Sequence, residues 1–101
     1  MRVQFDWDEA NRNHVAEHGV RPEEAEQVLL NSPVDVESQL HGGETRNVVI
    51  GETSRGRVLI VVTTWRNEKL RIVTAFPASR KARRQYEQQK KARESKRTQS
   101  P

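Results

Sequence analysis

Two groups of polar residues in this sequence have types and spacings that could support catalysis. The first is the run His14-Val15-Ala16-Glu17-His18, in which two histidines lie one helical turn apart with a glutamate between them. On a helix, such histidines could hold zinc while the glutamate activates water. A catalytic zinc needs a third ligand from a distant segment, and patterns this short arise easily by chance. We therefore expect structural histidines, with no metal and no cofactor.

The second group contains arginines, carboxylates and one tyrosine from the later part of the chain, which we expect a sheet-and-helix fold to gather at one end. Cleavage of RNA without a metal needs a general base, a general acid and cationic donors for the charge that develops on the phosphate. Arginine supplies a planar donor fork, and tyrosine can stack on a base. A surface that only binds nucleic acid or an acidic protein has the same composition, so both interpretations stay open. The residues are Arg55, Arg57, Arg66, Glu68, Arg71, Arg80, Arg83, Arg84, Tyr86 and Glu87.

The positive charge is concentrated at the C-terminal end. Residues 79–101 contain nine Lys and Arg against two Glu, although the net charge of the whole chain is only +4. The preceding part of the chain is therefore slightly acidic. A basic block on an acidic body indicates a surface for phosphate groups or acidic proteins, and a solvated charged tail is the alternative.

Composition excludes several classes of protein. The chain has 101 residues, 33% of them hydrophobic, which fits one domain with a small core. It has no cysteine, so neither a disulfide framework nor a thiolate zinc site is possible. No apolar run approaches the roughly 18 residues of a membrane span, and the N-terminus does not resemble a signal peptide. We expect a soluble, cytoplasmic protein that does not contact membranes.

Helical signals dominate the first third of the chain. A short strand is predicted from Val3 to Trp7, and Asp8 is a good N-cap for a helix from Glu9 to His18. Gly19 follows, where a positive φ is needed to end that helix. Pro22 can begin a second helix, which the segment Asn31-Ser32-Pro33 ends.

Two-residue alternation then predicts four strands joined by short turns, which indicates an antiparallel meander. The run Val58 to Val62 is apolar on both faces and should be the central strand. Ser79 can cap a final basic helix from Arg80 to about Ala92. The predicted fold class is α+β, with one domain over residues 1–91 and a basic, disordered tail over 92–101. The strands are expected at Val34–Gln39, Thr45–Glu52, Arg57–Thr64 and Lys69–Ala75.

Two stretches of the chain have a family pattern. They are FDWDEANRNHVAEHGVRPEEAEQVL, from Phe5, and GETSRGRVLIVVTTWRNEKLRIVTAFPASRKARRQYE, from Gly51. Together they resemble BrnT-type toxins, the ribonucleases of bacterial toxin–antitoxin pairs. The resemblance implies a RelE-like fold and a metal-independent ribonuclease that arrests translation. It also implies a BrnA-like antitoxin of the ribbon-helix-helix class as partner, with DNA contacted only through the antitoxin complex.

The resemblance also assigns roles to particular residues. It points to Arg66 and Arg71 for contact with phosphate or for stabilising the transition state, and to His18 as either a catalytic acid or base or a helix-ending residue. It points to RNA binding by Arg57, Arg80, Arg83 and Tyr86.

Three further candidates come from the residue types alone. Glu68 or Glu87 is the candidate proton carrier, and Arg84 is a further candidate for RNA binding.

This sequence departs from the family pattern after Thr74-Ala75, where relatives commonly have an arginine and this chain has Phe76-Pro77. A lost arginine removes a donor for RNA. The alternative function is therefore a toxin-like binding module with weakened catalysis, which acts with a DNA-binding partner in operon regulation.

Overall fold

The computed structural model describes residues 3–98, with side chains described as far as Glu94. These residues form three helices and five strands. In chain order they are β1 (Phe5–Asp6), α1 (Glu9–Glu17), α2 (Pro22–Leu30), β2 (Val34–His41), β3 (Glu44–Glu52), β4 (Val58–Arg66), β5 (Lys69–Pro77) and α3 (Arg80–Thr98).

The strands form one mixed sheet in the order β1-β5-β4-β3-β2. Strands β2 to β5 are antiparallel neighbours, as the short turns between them require. The short strand β1 adds to the far edge, where Phe5 pairs with Leu70 in the parallel direction. The α+β class and the central position of β4 are confirmed. The predicted four-stranded meander is part of a five-stranded mixed sheet.

Local signals set several helix ends as predicted. The Asp8 Oδ1 accepts a hydrogen bond from the Asn11 backbone N–H at 3.1 Å, and the Asn11 side chain accepts one from the Asp8 N–H at 2.7 Å. This reciprocal cap satisfies two N–H groups that a helix start leaves unpaired. Gly19 follows α1 with φ of +70°. The Ser79 hydroxyl accepts from the Ala82 N–H at 3.1 Å and caps α3.

Two predicted boundaries differ from the structure. The first strand is only two residues long, because the chain turns into the α1 cap at Asp8. Helix α3 continues to Thr98, so the predicted end at Ala92 is too early. No proline or glycine interrupts α3 after Ser79. Of the predicted tail, residues 99–101 lie outside the part that the structure describes.

The sheet is covered on both faces. Leu59 and Val61 point to one face and pack with Val15 of α1 and Val28 of α2. Val58 points to the other face and packs with Tyr86 of α3. Because successive side chains of a strand alternate between faces, the apolar run in β4 serves both clusters.

Asn11 is a polar residue in the main core, only 1% exposed. Its amide donates to the backbone oxygen of Asp6 at 2.8 Å and to that of Ile72 at 3.0 Å. Asn11 thereby joins the start of α1 to β1 and β5. Buried polar groups are stable only when they are paired in this way.

We expect Asn11→Ala to lower the free energy of unfolding by about 2 to 4 kcal/mol, because it leaves two carbonyl oxygens and the Asp8 N–H without their partner. Urea denaturation measures this change. Asn13→Ala is the matched control, since Asn13 lies on the same helix and is exposed. Equal stability of the two variants would contradict the role of the Asn11 amide.

Candidate functional site

The predicted site residues lie at both ends of the sheet. Arg57 directly precedes β4 and Arg66 ends it. Strand β4 has nine residues, which separates its ends by about 27 Å at the usual rise of a strand. The expectation that all these residues meet at one end is therefore wrong. It failed because the arginines flank opposite ends of the same strand.

The end of the sheet that carries the β4–β5 turn holds an arginine–glutamate cluster. The Arg66 Nε donates to Glu44 Oε1 at 2.9 Å, and the Arg46 Nε lies 3.5 Å from Glu44 Oε2. The hydrogen bond from Arg66 is the main cause that lowers the pKa of the Glu44 carboxyl. Glu68 lies in the adjoining turn with φ of +66°, exposed to solvent.

Arg71 on β5 is bound by the helix cap. Its Nη1 and Nη2 donate to the two carboxylate oxygens of Asp8 at 2.9 and 3.2 Å. Asp6 adds a weaker ion pair at 3.7 Å. The hydrogen bond from Arg71, followed by that from the Asn11 N–H, lowers the pKa of Asp8. Arg71 therefore joins β5 to the start of α1, and its donor fork is already occupied.

Arg57 has a similar connecting role at the opposite end. Its Nη1 donates to the Gly19 backbone oxygen at 3.0 Å and to both Glu24 oxygens at 3.1 Å. Burial alone would raise the pKa of Glu24, but the Arg21 N–H and the Arg57 guanidinium lower it by more, so the net shift is downward. Arg57 thus joins β4 to the turn between α1 and α2.

The two histidines of the possible zinc motif have separate surroundings. His14 Nδ1 lies 3.2 Å from the Val73 backbone oxygen, whereas the His18 ring packs on Phe76 with centroids 5.7 Å apart. His18 is the C-cap residue of α1 and is exposed. Within the described residues, no group of three or more His, Cys, Asp or Glu side chains could hold a metal ion.

A groove of about 530 Å³ lies between α3 and the end of the sheet near Gly56. We call it the α3 groove. Arg83, Arg84 and Glu87 line it from the helix, and Glu52 and Val58 line it from the sheet. Its lining therefore combines guanidinium groups with three carboxylates, those of Glu52, Glu87 and Glu94. These are the types of group that phosphodiester cleavage requires.

Three arginines of α3 differ from those of the sheet in having no carboxylate partner among the residues that the structure describes. Arg80, Arg83 and Arg84 are exposed, and within the described residues no ion pair involves any of them. Their donors are available to a phosphate backbone. In contrast, an RNA phosphate at Arg57, Arg66 or Arg71 would have to displace a carboxylate.

Tyr86 is only 3% exposed, so its ring offers no surface on which a base could stack. The predicted contact with RNA is therefore corrected. The ring packs under α3 beside Ile50 and Val58. Burial and the neighbouring Glu52 carboxylate raise the pKa of the hydroxyl, which donates to Glu52 Oε1 at 3.1 Å.

Sequence reasoning missed Glu52 and Lys90. The Lys90 Nζ donates to Glu52 Oε1 at 2.6 Å, and this hydrogen bond raises the pKa of Lys90. The spacing of Tyr86 and Lys90, one turn apart on the helix, could have indicated a shared partner. Nothing in the local sequence identifies that partner as Glu52, which lies on a distant strand.

The fold and the groove define a small basic α+β protein with an exposed set of cations suited to a polyanion. A family model described as the ribonuclease toxin BrnT of type II toxin–antitoxin systems matches residues 7–84. The chain therefore belongs to the BrnT family of ribonuclease toxins. This family implies an RNA substrate and an antitoxin protein as partner. The matched region includes Arg80, Arg83 and Arg84 and ends before Glu87.

No curated protein matches the chain. Among the described residues, no helix is long and apolar enough to cross a membrane.

We expect acid to destabilise the protein through Asp8, Glu24 and Glu44, whose pKa values are lowered in the folded state. These carboxyl groups bind protons more readily in the unfolded chain than in the folded one. Their contribution to the free energy of unfolding is therefore fully present above the ordinary carboxyl pKa of about 4, and it falls as the pH drops through the lowered pKa values.

The variant Asp8→Asn tests this contribution, because it keeps an oxygen for the helix cap but removes the charge that Arg71 binds. Its melting temperature should therefore be lower at neutral pH and change less with acid.

Thermal melts from neutral pH to about pH 3 measure this difference. Glu17→Gln is the control, because Glu17 is an exposed carboxylate of the same helix. Parallel pH curves for Asp8→Asn and the unaltered protein would show that the Asp8–Arg71 pair does not form in solution.

Proposed function

We propose that this chain is a metal-independent endoribonuclease that arrests translation in the cytoplasm, and that RNA binds along the α3 groove. The proposal rests mainly on the exposed arginines of α3, which no carboxylate neutralises within the described part of the chain. The family supplies the class of substrate. A RelE-like fold remains part of this proposal.

The groove offers a phosphate site beside a carboxylate. Arg83 and Glu87 are four residues apart, so they occupy the same side of α3, and both line the groove. Arg83 and Arg84 would bind the oxygens of the scissile phosphate and stabilise the added negative charge of the transition state. Arg80, one turn earlier, would hold the neighbouring backbone.

The reaction needs one proton removed and one supplied. Glu87 would take the proton from the ribose 2′-hydroxyl as the 2′ oxygen bonds to phosphorus. The bond from phosphorus to the 5′ oxygen breaks as that oxygen takes a proton from solvent water. The products are a 2′,3′-cyclic phosphate and a 5′-hydroxyl end. No metal takes part in this scheme.

Other roles in catalysis remain predicted for Arg66, Arg71, Glu68 and His18. Arg66 and Arg71 are about one strand length from the groove, so a single phosphate cannot contact both sites. A longer RNA could reach them after displacing Glu44 and Asp8. Their substitution should therefore affect extended substrates more than short ones.

The partner would be a BrnA-like antitoxin of the ribbon-helix-helix class. The chain would contact DNA only through the complex with that antitoxin, which represses the shared operon. The toxin–antitoxin family supports the partner, and the identity of the antitoxin is proposed from the resemblance.

Phe76 favours a second candidate function, a binding module with weakened catalysis that regulates an operon with its partner. The ring of Phe76 packs on His18 and supplies no donor at the position where relatives commonly have an arginine. Growth arrest on expression, relieved by the antitoxin, supports the ribonuclease. Harmless expression together with intact antitoxin binding supports the module.

We expect the double substitution Arg83→Gln with Arg84→Gln to weaken RNA binding and to reduce the slope of log affinity against log salt by about 1 to 2, because two phosphate contacts are lost. Fluorescence titration with a single-stranded RNA at several salt concentrations measures both quantities. Lys69→Gln is the control for charge, since Lys69 is exposed at the other end of the sheet. An unchanged slope in the double variant would remove α3 from the RNA site.

Glu87→Gln should slow RNA cleavage by about 10²-fold or more while leaving RNA affinity nearly unchanged, as expected for the loss of a general base. Cleavage by the unaltered protein should persist in excess EDTA. Single-turnover rates with a defined RNA measure both, and Glu17→Gln controls for the loss of one carboxylate. Cleavage that stops in EDTA would contradict the metal-independent mechanism.

A further inference from the structure

Two large apolar side chains are exposed on the sheet at the end away from the α3 groove. Leu40 of β2 is 78% exposed and Trp65 of β4 is 58% exposed. Leu40 pairs with Thr45, and Trp65 pairs with Leu70. The β3–β4 pairing runs as far as Asn47 and Thr63. Beyond it the Thr64 hydroxyl donates to the Thr45 backbone oxygen at 2.9 Å, which keeps Thr45 near Trp65.

These four residues therefore form one row across strands β2 to β5, which we call the apolar row. It is Leu40, Thr45, Trp65 and Leu70. The row lies on the face of the sheet that carries Val61, because Leu70 is two residues from Ile72, which packs in the same cluster as Val61. Its exposed apolar side chains are Leu40 and Trp65, with Thr45 between them and the half-buried Leu70 beyond Trp65. Exposed apolar groups that lie on one face mark a contact surface more often than isolated ones do.

The row ends at a free strand edge. Strand β2 is the last strand of the sheet, and seven of its eight residues are exposed. Its outer backbone N–H and C=O groups can pair with a further strand. The strand contains neither lysine nor proline, but its register shifts between Asp35 and Glu37, and this bulge interrupts the first part of the edge. The regular part of the edge, from Glu37 to His41, is the part that can pair with a further strand. A strand added here would extend the apolar row by one side chain beside Leu40.

The charge of the edge indicates what kind of strand it accepts. Strand β2 carries Asp35 and Glu37 and no Lys or Arg, whereas the chain as a whole is basic. Glu37 is three residues from Leu40, so the two side chains lie on opposite faces. A complementary strand has an apolar residue beside Leu40 and a basic residue beside Glu37. A second copy of β2 supplies no basic residue other than His41.

We propose that strand β2 and the apolar row bind an extended segment of the cognate antitoxin, which adds to the sheet as a sixth strand. Its basic residue faces Glu37, and its apolar residue packs beside Leu40. The proposal rests on the antitoxin partner of the proposed function, but not on the ribonuclease activity. The surface is separate from the α3 groove, so its variants test antitoxin binding without altering that groove.

The experiment uses the full chain and the ribbon-helix-helix protein encoded beside its gene. Leu40→Ser should weaken the complex and raise its dissociation constant roughly tenfold or more, as loss of an exposed anchor does. Trp65→Ser should raise it less, because Trp65 lies two strands in from the β2 edge. Leu30→Ser is the matched control, since Leu30 is 67% exposed on α2 and lies outside the row. Isothermal calorimetry measures the affinities, and thermal melts verify that each variant is folded.

Charge reversal tests the edge independently. Glu37→Lys should weaken the complex several-fold and reduce its dependence on salt, because the paired charge is lost. Glu17→Lys makes the same change of charge on α1 and should have little effect. Amide hydrogen exchange of the complex should show new protection in β2.

Three results would overturn the proposal. Unchanged affinity in both Leu40→Ser and Trp65→Ser removes the row from the antitoxin interface. A free chain that is dimeric, and becomes monomeric with Leu40→Ser, assigns the edge to a second copy. Weaker RNA binding by Trp65→Ser without antitoxin assigns the row to base stacking.

The two proposals can fail separately. If the chain cleaves no RNA yet these variants lose antitoxin binding, the proposed ribonuclease function fails and the proposed antitoxin site stands.

Discussion

The carboxylate of Glu52 holds helix α3 on the sheet, and the positions of the exposed arginines depend on it. Of the described side chains of α3, Tyr86 is the buried one, so apolar packing alone gives the helix little support. Tyr86 and Lys90 both donate to Glu52 Oε1. A half-buried carboxylate is stable only with such donors. Because these bonds fix the rotation of α3, Arg83, Arg84 and Glu87 are presented to one groove instead of being spread around the helix.

Arginine has two different roles in this molecule. Which role an arginine has depends on whether a carboxylate pairs with it. Arg57, Arg66 and Arg71 connect elements that are distant in sequence, through Glu24, Glu44 and Asp8. Their charge is largely neutralised before any RNA arrives. The arginines of α3 have no such partner within the described residues, so their charge extends into solvent and can attract a phosphate backbone. The amino-acid composition does not distinguish the paired arginines from the arginines of α3.

The sequence predicted the parts of the fold that depend on neighbouring residues. Helix ends were predicted correctly at Asp8, Gly19 and Ser79, because caps and left-handed turns depend only on residues that are close in sequence. The pairing of β1 with β5 joins residues more than 60 positions apart, and a strand of two residues has too little pattern to indicate a partner. The site was predicted less well than the fold. The residue types of α3 were sufficient to indicate phosphate binding, but the burial of Tyr86 and the pairing of Arg71 depend on distant contacts.

Strand β2 connects the side of α3 with the apolar row. Its first residue, Val34, packs with the cluster around Tyr86, and the preceding Ser32 accepts a hydrogen bond from Arg93 of α3 at 3.3 Å. Its last residues reach the apolar row at the opposite end of the sheet. A strand bound along β2 would therefore run from the side of α3 to Leu40, the outer end of the apolar row. An antitoxin segment in that position lies next to the helix that presents the arginines, so it could hinder a long RNA without entering the α3 groove. Inhibition by this route needs only the acidic edge of β2, which attracts a basic segment that the arginines of α3 would repel.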